Sequence, residues 1–275
     1  MKTNFTFFIL LICFYASAQT HRFIYDVEYK KDSTSQITTK ENYHLDISGD
    51  EVLYYTRDFF IADSLIVNNF PFPKDMKLNT STIIKHKKGS SSFEEYDLLE
   101  NTVLNLQTTD SQNFLLTSEK KQVKDLTLQK ATTTWGGRNW IAWFSKEIPF
   151  QEGPYKFHGL PGLIVEITDD KDNYKFSLVR SENIKESTEN QYIEMAYQMS
   201  IPVTWEKFKN TKIKFYESPI NFIKNGIGSS KNNEFYLNDG TIVNPANSRE
   251  VNDRLRNMIK QYNNPIELDK AIFYP

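Results

Sequence analysis

Cysteine is almost missing from this chain. Its single copy, Cys13, lies in a leader-like stretch, so a processed protein has no disulfide and no thiol chemistry, even in a compartment that permits disulfides. An excess of either charge is missing too. The 33 basic and 35 acidic side chains leave a formal net charge of −2, which gives no electrostatic reason to expect a nucleic acid or an anionic membrane as partner. Ten glycines and ten prolines in 275 residues are too few for a disordered chain. No apolar run reaches the length of a membrane-spanning helix. The sequence holds no Gly-x-Ser-x-Gly elbow, no His-Glu-x-x-His pair and no phosphate loop, so it announces no catalytic class and no cofactor.

The chain opens with a basic start, Met1-Lys2-Thr3-Asn4. An apolar run from Phe5 to Tyr15 and the small-residue triplet Ala16-Ser17-Ala18 follow. That order describes a secretory signal peptide cleaved after Ala18, and a periplasmic or secreted protein. Ile12 stands where a lipoprotein signal wants a small residue before Cys13. Residues 19–275 then read as one β-rich domain.

Aromatics make up 14% of the chain, as suits a large twisted sheet with aromatic pairs on its faces. Phe23, Tyr25, Val27 and Tyr29 alternate with polar neighbours, the period of a half-buried strand. Strands are also expected around Tyr43–Ile47, Val52–Thr56, Ile83–Lys87, Ser92–Tyr96, Thr102–Leu106, Asn113–Thr117 and Lys121–Thr134. Gly136-Gly137 turns that last strand into Asn139–Phe144. Tyr192–Gln198 reads as a final strand. Asp58–Val67 has one face apolar enough for a short helix. Thr204 and Ser218-Pro219 look like helix starts. Asn247–Tyr262 is the best helix, with Val251, Leu255, Met258, Ile259 and Tyr262 in one stripe expected to dock on the sheet.

The most informative run is Phe157-His158-Gly159-Leu160-Pro161-Gly162-Leu163-Ile164. Pro161 and Gly162 suit the two central positions of a type II turn, and a strand from Leu163 to Thr168 follows. Leu163, Val165 and Ile167 are expected on one face of it. Gly159 to Ile164 spells the hexapeptide of the GLPGLI family of exported proteins from Gram-negative bacteria. The flanks resemble that family as well: Gly137-Arg138, Ala142-Trp143-Phe144, Gly153-Pro154-Tyr155-Lys156-Phe157, and Asn264-Pro265-Ile266-Glu267-Leu268. The resemblance implies an exported β-rich protein. It brings no established reaction to any residue.

Four groups of residues are candidates for chemistry. His158, near Glu147 and Glu152 in sequence, can serve as an acid–base group if a carboxylate meets it in a cleft; a packed histidine is the plainer reading. Asp169, Asp170 and Asp172 form an acidic hairpin tip with oxygens for a hard cation, but without the spacing of a calcium loop. Cleavage after Ala18 exposes Gln19-Thr20-His21, whose amine, amides and imidazole match a square-planar copper(II) or nickel(II) set, with His21 as the side-chain ligand. Trp135, Trp140, Trp143 and Phe144 are either sheet core or the lining of an apolar pocket, with Arg138 and Asn139 beside them.

The fold expected is mainly β: a single twisted or curled antiparallel sheet, or half-barrel, with C-terminal helices packed on it. Three functions are open. The first is a non-catalytic cell-envelope protein that binds a partner or ligand. The second is a carrier of an apolar small molecule in the concave face, beside Trp140, Trp143 and Ile164. The third is a hydrolase with a site near His158. Nucleic acid is not an expected partner, and no transmembrane segment is expected after signal cleavage. A transmembrane barrel fits poorly because the C-terminal helices are too good.

Overall fold

The structure, a computed structural model, describes residues 19–71, 73, 82–100, 102–185, 189–227, 234–237 and 239–275. The leader and Cys13 lie outside the described residues. The chain starts with strands β1 (Thr20–Tyr29), β2 (Thr39–Ser48) and β3 (Glu51–Thr56), then helix α1 (Arg57–Val67). Strands β4 (Thr82–Lys87), β5 (Ser92–Leu99), β6 (Thr102–Thr109), β7 (Leu115–Val123), β8 (Leu126–Trp135), β9 (Arg138–Ser145), β10 (Leu163–Asp169) and β11 (Tyr174–Ile184) follow. The last third holds α2 (Gln191–Met199), β12 (Ser200–Val203), α3 (Trp205–Glu217), α4 (Pro219–Ile227), the short pair β13 (Phe235–Tyr236) and β14 (Ile242–Val243), α5 (Ser248–Gln261), and a 3-10 turn at Leu268–Lys270.

Twelve strands form one sheet in the order β12-β6-β5-β4-β3-β2-β1-β11-β10-β9-β8-β7. All pairs are antiparallel except β12 with β6, which is parallel. The first strand is therefore central. One meander runs outward from it to β6, and a second returns from the far edge to β11, which pairs with β1. Only residues 110–114 join β6 to β7. At about 4.8 Å per strand, a flat sheet would hold those two strands about 48 Å apart. Five linking residues reach no more than about 20 Å. The sheet must curl until its two margins approach at that end, yet among the described residues no ladder closes it into a barrel.

The curl makes an inner face. Phe23, Tyr25, Val27 and Tyr29 of β1 point into it, with Leu45, Tyr54, Phe93, Trp140, Phe144 and Phe176 from other strands. The expected alternation of β1 and β9 is what buries them. The segment between β9 and β10 then folds back and fills this face. Phe157 lies against Trp140 (4.7 Å between centroids), Trp135 (5.1 Å) and Phe176 (6.2 Å). Tyr155 meets Tyr54 from the opposite half of the sheet. On the outer face, α1 and α2 cover part of the sheet, burying Phe59, Ile193 and Ala196 against Tyr55, Ile83, Tyr96 and Val103.

Several expectations need correction. Tyr192–Gln198 is helix, not strand: Asn190 caps it by accepting a hydrogen bond from the Ile193 amide, and Ile193 and Ala196 bury one side. Strand β11 runs on to Ile184 because β1 offers partners along that length. The strand β10 does not alternate simply. A bulge between Ile164 and Glu166 lets both Ile164 and Ile167 face the inner core. Helix α5 follows Asn247 as expected, although the Asn247 side chain makes no cap bond. Its stripe meets the large sheet only in part: Tyr262 lies 6.3 Å from Tyr29 of β1, whereas Val251 and Leu255 pack with Phe215, Ile220, Ile223, Phe235, Leu237 and Val243, joined from the sheet by Leu99, and Met258 is exposed. The helices α3 to α5 build a small core of their own.

Candidate functional site

The returning segment, residues 146–162, is the plug of the half-barrel. Its exit turn is tighter than the expected type II turn. The Gly162 amide donates to the Leu160 carbonyl at 2.8 Å, and the Leu163 amide donates to Ile148 O. Gly162 has φ +152°, and a Cβ there would sit 2.0 Å from the Ser145 carbonyl oxygen. Glycine is required because the turn passes directly against the end of β9. The signature turn is thus a close backbone crossing.

Lys156 pins the plug from within. Its side chain is 0% exposed and its ammonium reaches Glu95 (2.5 Å), Glu267 (2.7 Å) and Asp110 (3.2 Å). Burial alone would lower the lysine pKa; the three carboxylates outweigh that and raise it. Burial raises Glu95, whereas Lys156 and Lys270 overcome burial and lower Asp110. Among the described residues, these three acids are the one set whose ligand atoms already converge as a metal site would. The lysine ammonium sits among them and supplies the cation.

The C-terminal anchor wraps the same region. Arg138 donates to Asp169 (3.0 Å), Asn264 (2.6 Å), the Pro265 carbonyl (2.7 Å) and the Ile266 carbonyl (3.0 Å). Glu267 accepts from Tyr155 and Lys156, and the Leu268 amide donates to Gly136 O. Asn264 to Leu268 is a strap that ties the β8–β9 turn to the plug.

A second polar cluster lies where the plug meets the β4–β5 hairpin. Glu152 and His158 form an isolated antiparallel bridge. Glu152 is buried; its Oε1 accepts from the Gly89 amide (3.0 Å). Its Oε2 faces His86 Nε2 at 3.4 Å, within ion-pair reach, but makes no hydrogen bond. His86 Nδ1 lies 3.0 Å from Lys87 O, and His158 Nδ1 lies 2.9 Å from Lys156 O. A carbonyl only accepts, so both Nδ1 atoms carry the proton and both Nε2 atoms keep a lone pair. Ser91 Oγ donates to His158 Nε2 across 3.4 Å. Burial raises the Glu152 carboxyl to about 7, against the Gly89 amide and Lys88. Burial and then His158 lower His86 to about 4.

The sequence candidates fall in different places. His158 does meet Glu152, as considered, while Glu147 instead accepts from the Thr127 amide. His86 and Ser91 were missed; the available signal was a histidine two places after Ile84, on the buried side of a strand. Trp140 is core and donates to Trp135 O. Trp143 sits on the opposite face beneath the Lys121 ammonium, so the two tryptophans cannot line one pocket. Arg138 is buried with a full set of partners. Asp169 is buried too, accepting from the Asn173 and Tyr174 amides as well as from Arg138, so the acidic tip is a hairpin lock. Thr20 and His21 lie in β1 with ladders on both sides, and His21 Nδ1 is 2.7 Å from Asn183 Oδ1. In this extended strand the Thr20 and His21 amides and the His21 ring are not gathered around one point.

Among the described residues, a groove of about 350 Å³ is lined by Gln112 to Leu116 and by Gly159-Leu160-Pro161. It follows the unpaired edge of β7, where Leu115 is 71% and Leu116 52% exposed. Gln112 Oε1 accepts from the His158 amide, and its Nε2 is buried with no partner.

Comparison with known proteins bears on this same region. A family described as a protein of unknown function (Porph_ging) matches residues 87–166. That span runs from the β4–β5 hairpin through the plug into β10. No curated protein matches. A solved structure of PNGF-II in the P21 space group is similar at TM-score 0.50 and 13% identity, covering 70% of this chain and 33% of that one. Its C2 form gives 0.47 and 13%, covering 68% and 31%. The chain spans about a third of PNGF-II, and the P21 likeness is one of fold. Among the described residues no helix is long and apolar enough to cross a membrane.

Proposed function

We propose that this protein is a GLPGLI-type exported protein of the cell envelope that binds a partner or ligand without transforming it. The observation that carries the reading is the groove beside the plug. It combines exposed leucines, an unpaired strand edge and an unused buried amide donor, the parts that hold an extended chain. The other two readings have less to stand on. An apolar cargo finds the concave face already filled by Phe157 and Leu160. A hydrolase needs its dyad reachable, yet the groove's lining includes neither Ser91 nor the His158 ring.

A photo-crosslinking residue at Leu116, expressed in the native host, tests the proposal. The expected result is one discrete adduct in the envelope fraction that a second change, Leu115→Asp, abolishes. Adducts only from a control position such as Trp205 would overturn it. Recovery of the protein in the cytoplasm would overturn the export part. Turnover of an ester or amide lost in Ser91→Ala would replace the reading with the hydrolase.

A further inference from the structure

We propose that His86, Glu152 and His158 form a site for a divalent transition-metal ion of the zinc and cobalt class. The inference does not depend on the groove. Three features of the cluster support it. Both imidazoles spend Nδ1–H on a backbone carbonyl, as metal-bound histidines do, and the His86 Nε2 lone pair faces Glu152 Oε2. Glu152 Oε2 is a buried oxygen, its side chain 1% exposed, with no hydrogen bond. Its 3.4 Å separation from His86 Nε2 is close to the roughly 3.3 Å edge of a tetrahedron whose metal–ligand bonds are about 2.0–2.1 Å. Mixed imidazole and carboxylate donors suit zinc, cobalt or nickel better than calcium or magnesium.

His86 and Glu152 are the preset pair. His158 is the third donor, its ring centroid 6.1 Å from that of His86. It stands off from the pair, and its Nε2 is engaged by Ser91. To complete the set the ring turns away from Ser91, which leaves the Ser91 hydroxyl or a water for the fourth position. Part of the second coordination layer is already in place: Gly89 N–H holds Glu152 Oε1, and the Lys87 carbonyl holds the His86 ring. The exposed hairpin tip at Lys88-Gly89 is the short way in. Lys88 is the charged group that opposes a cation here. The ion would join the hairpin to the plug, so binding should stiffen both.

Cobalt(II) titration of the full folded protein is the test. Expected are the ligand-field bands of a four-coordinate nitrogen and oxygen site, one ion per chain, and reversal by zinc(II). Glu152→Gln and His86→Ala should lose the bands, and His158→Ala should bind at least tenfold more weakly. If His86→Ala does not fold, nitrogen-15 spectra of the native protein replace it: zinc(II) must move the Nε2 signals of both His86 and His158. Absence of the bands, equal binding by native protein and Glu152→Gln, or unmoved Nε2 signals would overturn the site.

Discussion

Single residues in this protein are constrained chiefly by what the curled sheet brings against them. Gly162 is the sharpest case. A methyl group there collides with backbone, which has no rotamer to change, so Gly162→Ala should cost at least about 3 kcal/mol in urea unfolding. Lys156 is constrained by charge. Replacing it with Met leaves Glu95, Asp110 and Glu267 facing one another in a buried space, and a loss of about 3–5 kcal/mol is expected. Histidines give a pH dependence. Burial and then Arg22 lower His44 to about 4, as burial and His158 do for His86. A group kept neutral in the fold contributes its stability above its unfolded value, near 6.5, and loses it as pH falls toward 4. Glu152, raised to about 7, works in the opposite sense and offsets about one histidine as pH falls from about 7 to 4.5; with two histidines lowered, thermal midpoints should still drop between pH 6.5 and 4. His44→Gln should remove up to about 3 kcal/mol of that acid dependence.

Secondary-structure elements were legible where one face decides their partner. The alternation of β1 and β9, the glycine pair between β8 and β9, and the start of α3 at Thr204 all rest on local periodicity or turn chemistry. Helix α2 was misread because Tyr192, Ile193 and Tyr197 have strand-like propensities, while burial of Ile193 with Ala196 favours the helix. For α5 the helix was right, but most of its buried stripe found a partner other than the sheet. An apolar stripe states that something covers it, and α3, α4 and the β13–β14 pair do so before the sheet can. Leu255→Asp places a charge in that small core. About 3 kcal/mol or more should be lost there. Early protease cutting should appear in residues 205–262, while near-UV signals from Trp135 and Trp140 persist. Simultaneous loss of both would mean that the helical core and the sheet unfold as one unit.

The whole molecule is a curled sheet closed over its own loop and held by its own tail. Asn264 and Glu267 supply ligands to Arg138 and Lys156, two buried cations whose other partners lie on β5, β10 and the β6–β7 link. Ending the chain after Tyr262 should therefore leave both cations short of partners. The truncated protein is expected to be insoluble or rapidly degraded, measured against a chain that lacks only Phe273 to Pro275. Full solubility and an unchanged thermal midpoint in the longer truncation would show that the strap is ornamental.

The amino-acid order by itself determined the β-rich class, most strand positions and the tight corner at Pro161-Gly162. Those features depend on neighbours within a few positions, through φ preference and alternating polarity. Only the tertiary structure decided why they matter. The plug, the Lys156 cage, the strap and the meeting of His86 with Glu152 and His158 join residues tens to more than a hundred positions apart. Their contacts follow from the curl forced by a five-residue link between two strands that a flat sheet would keep far apart.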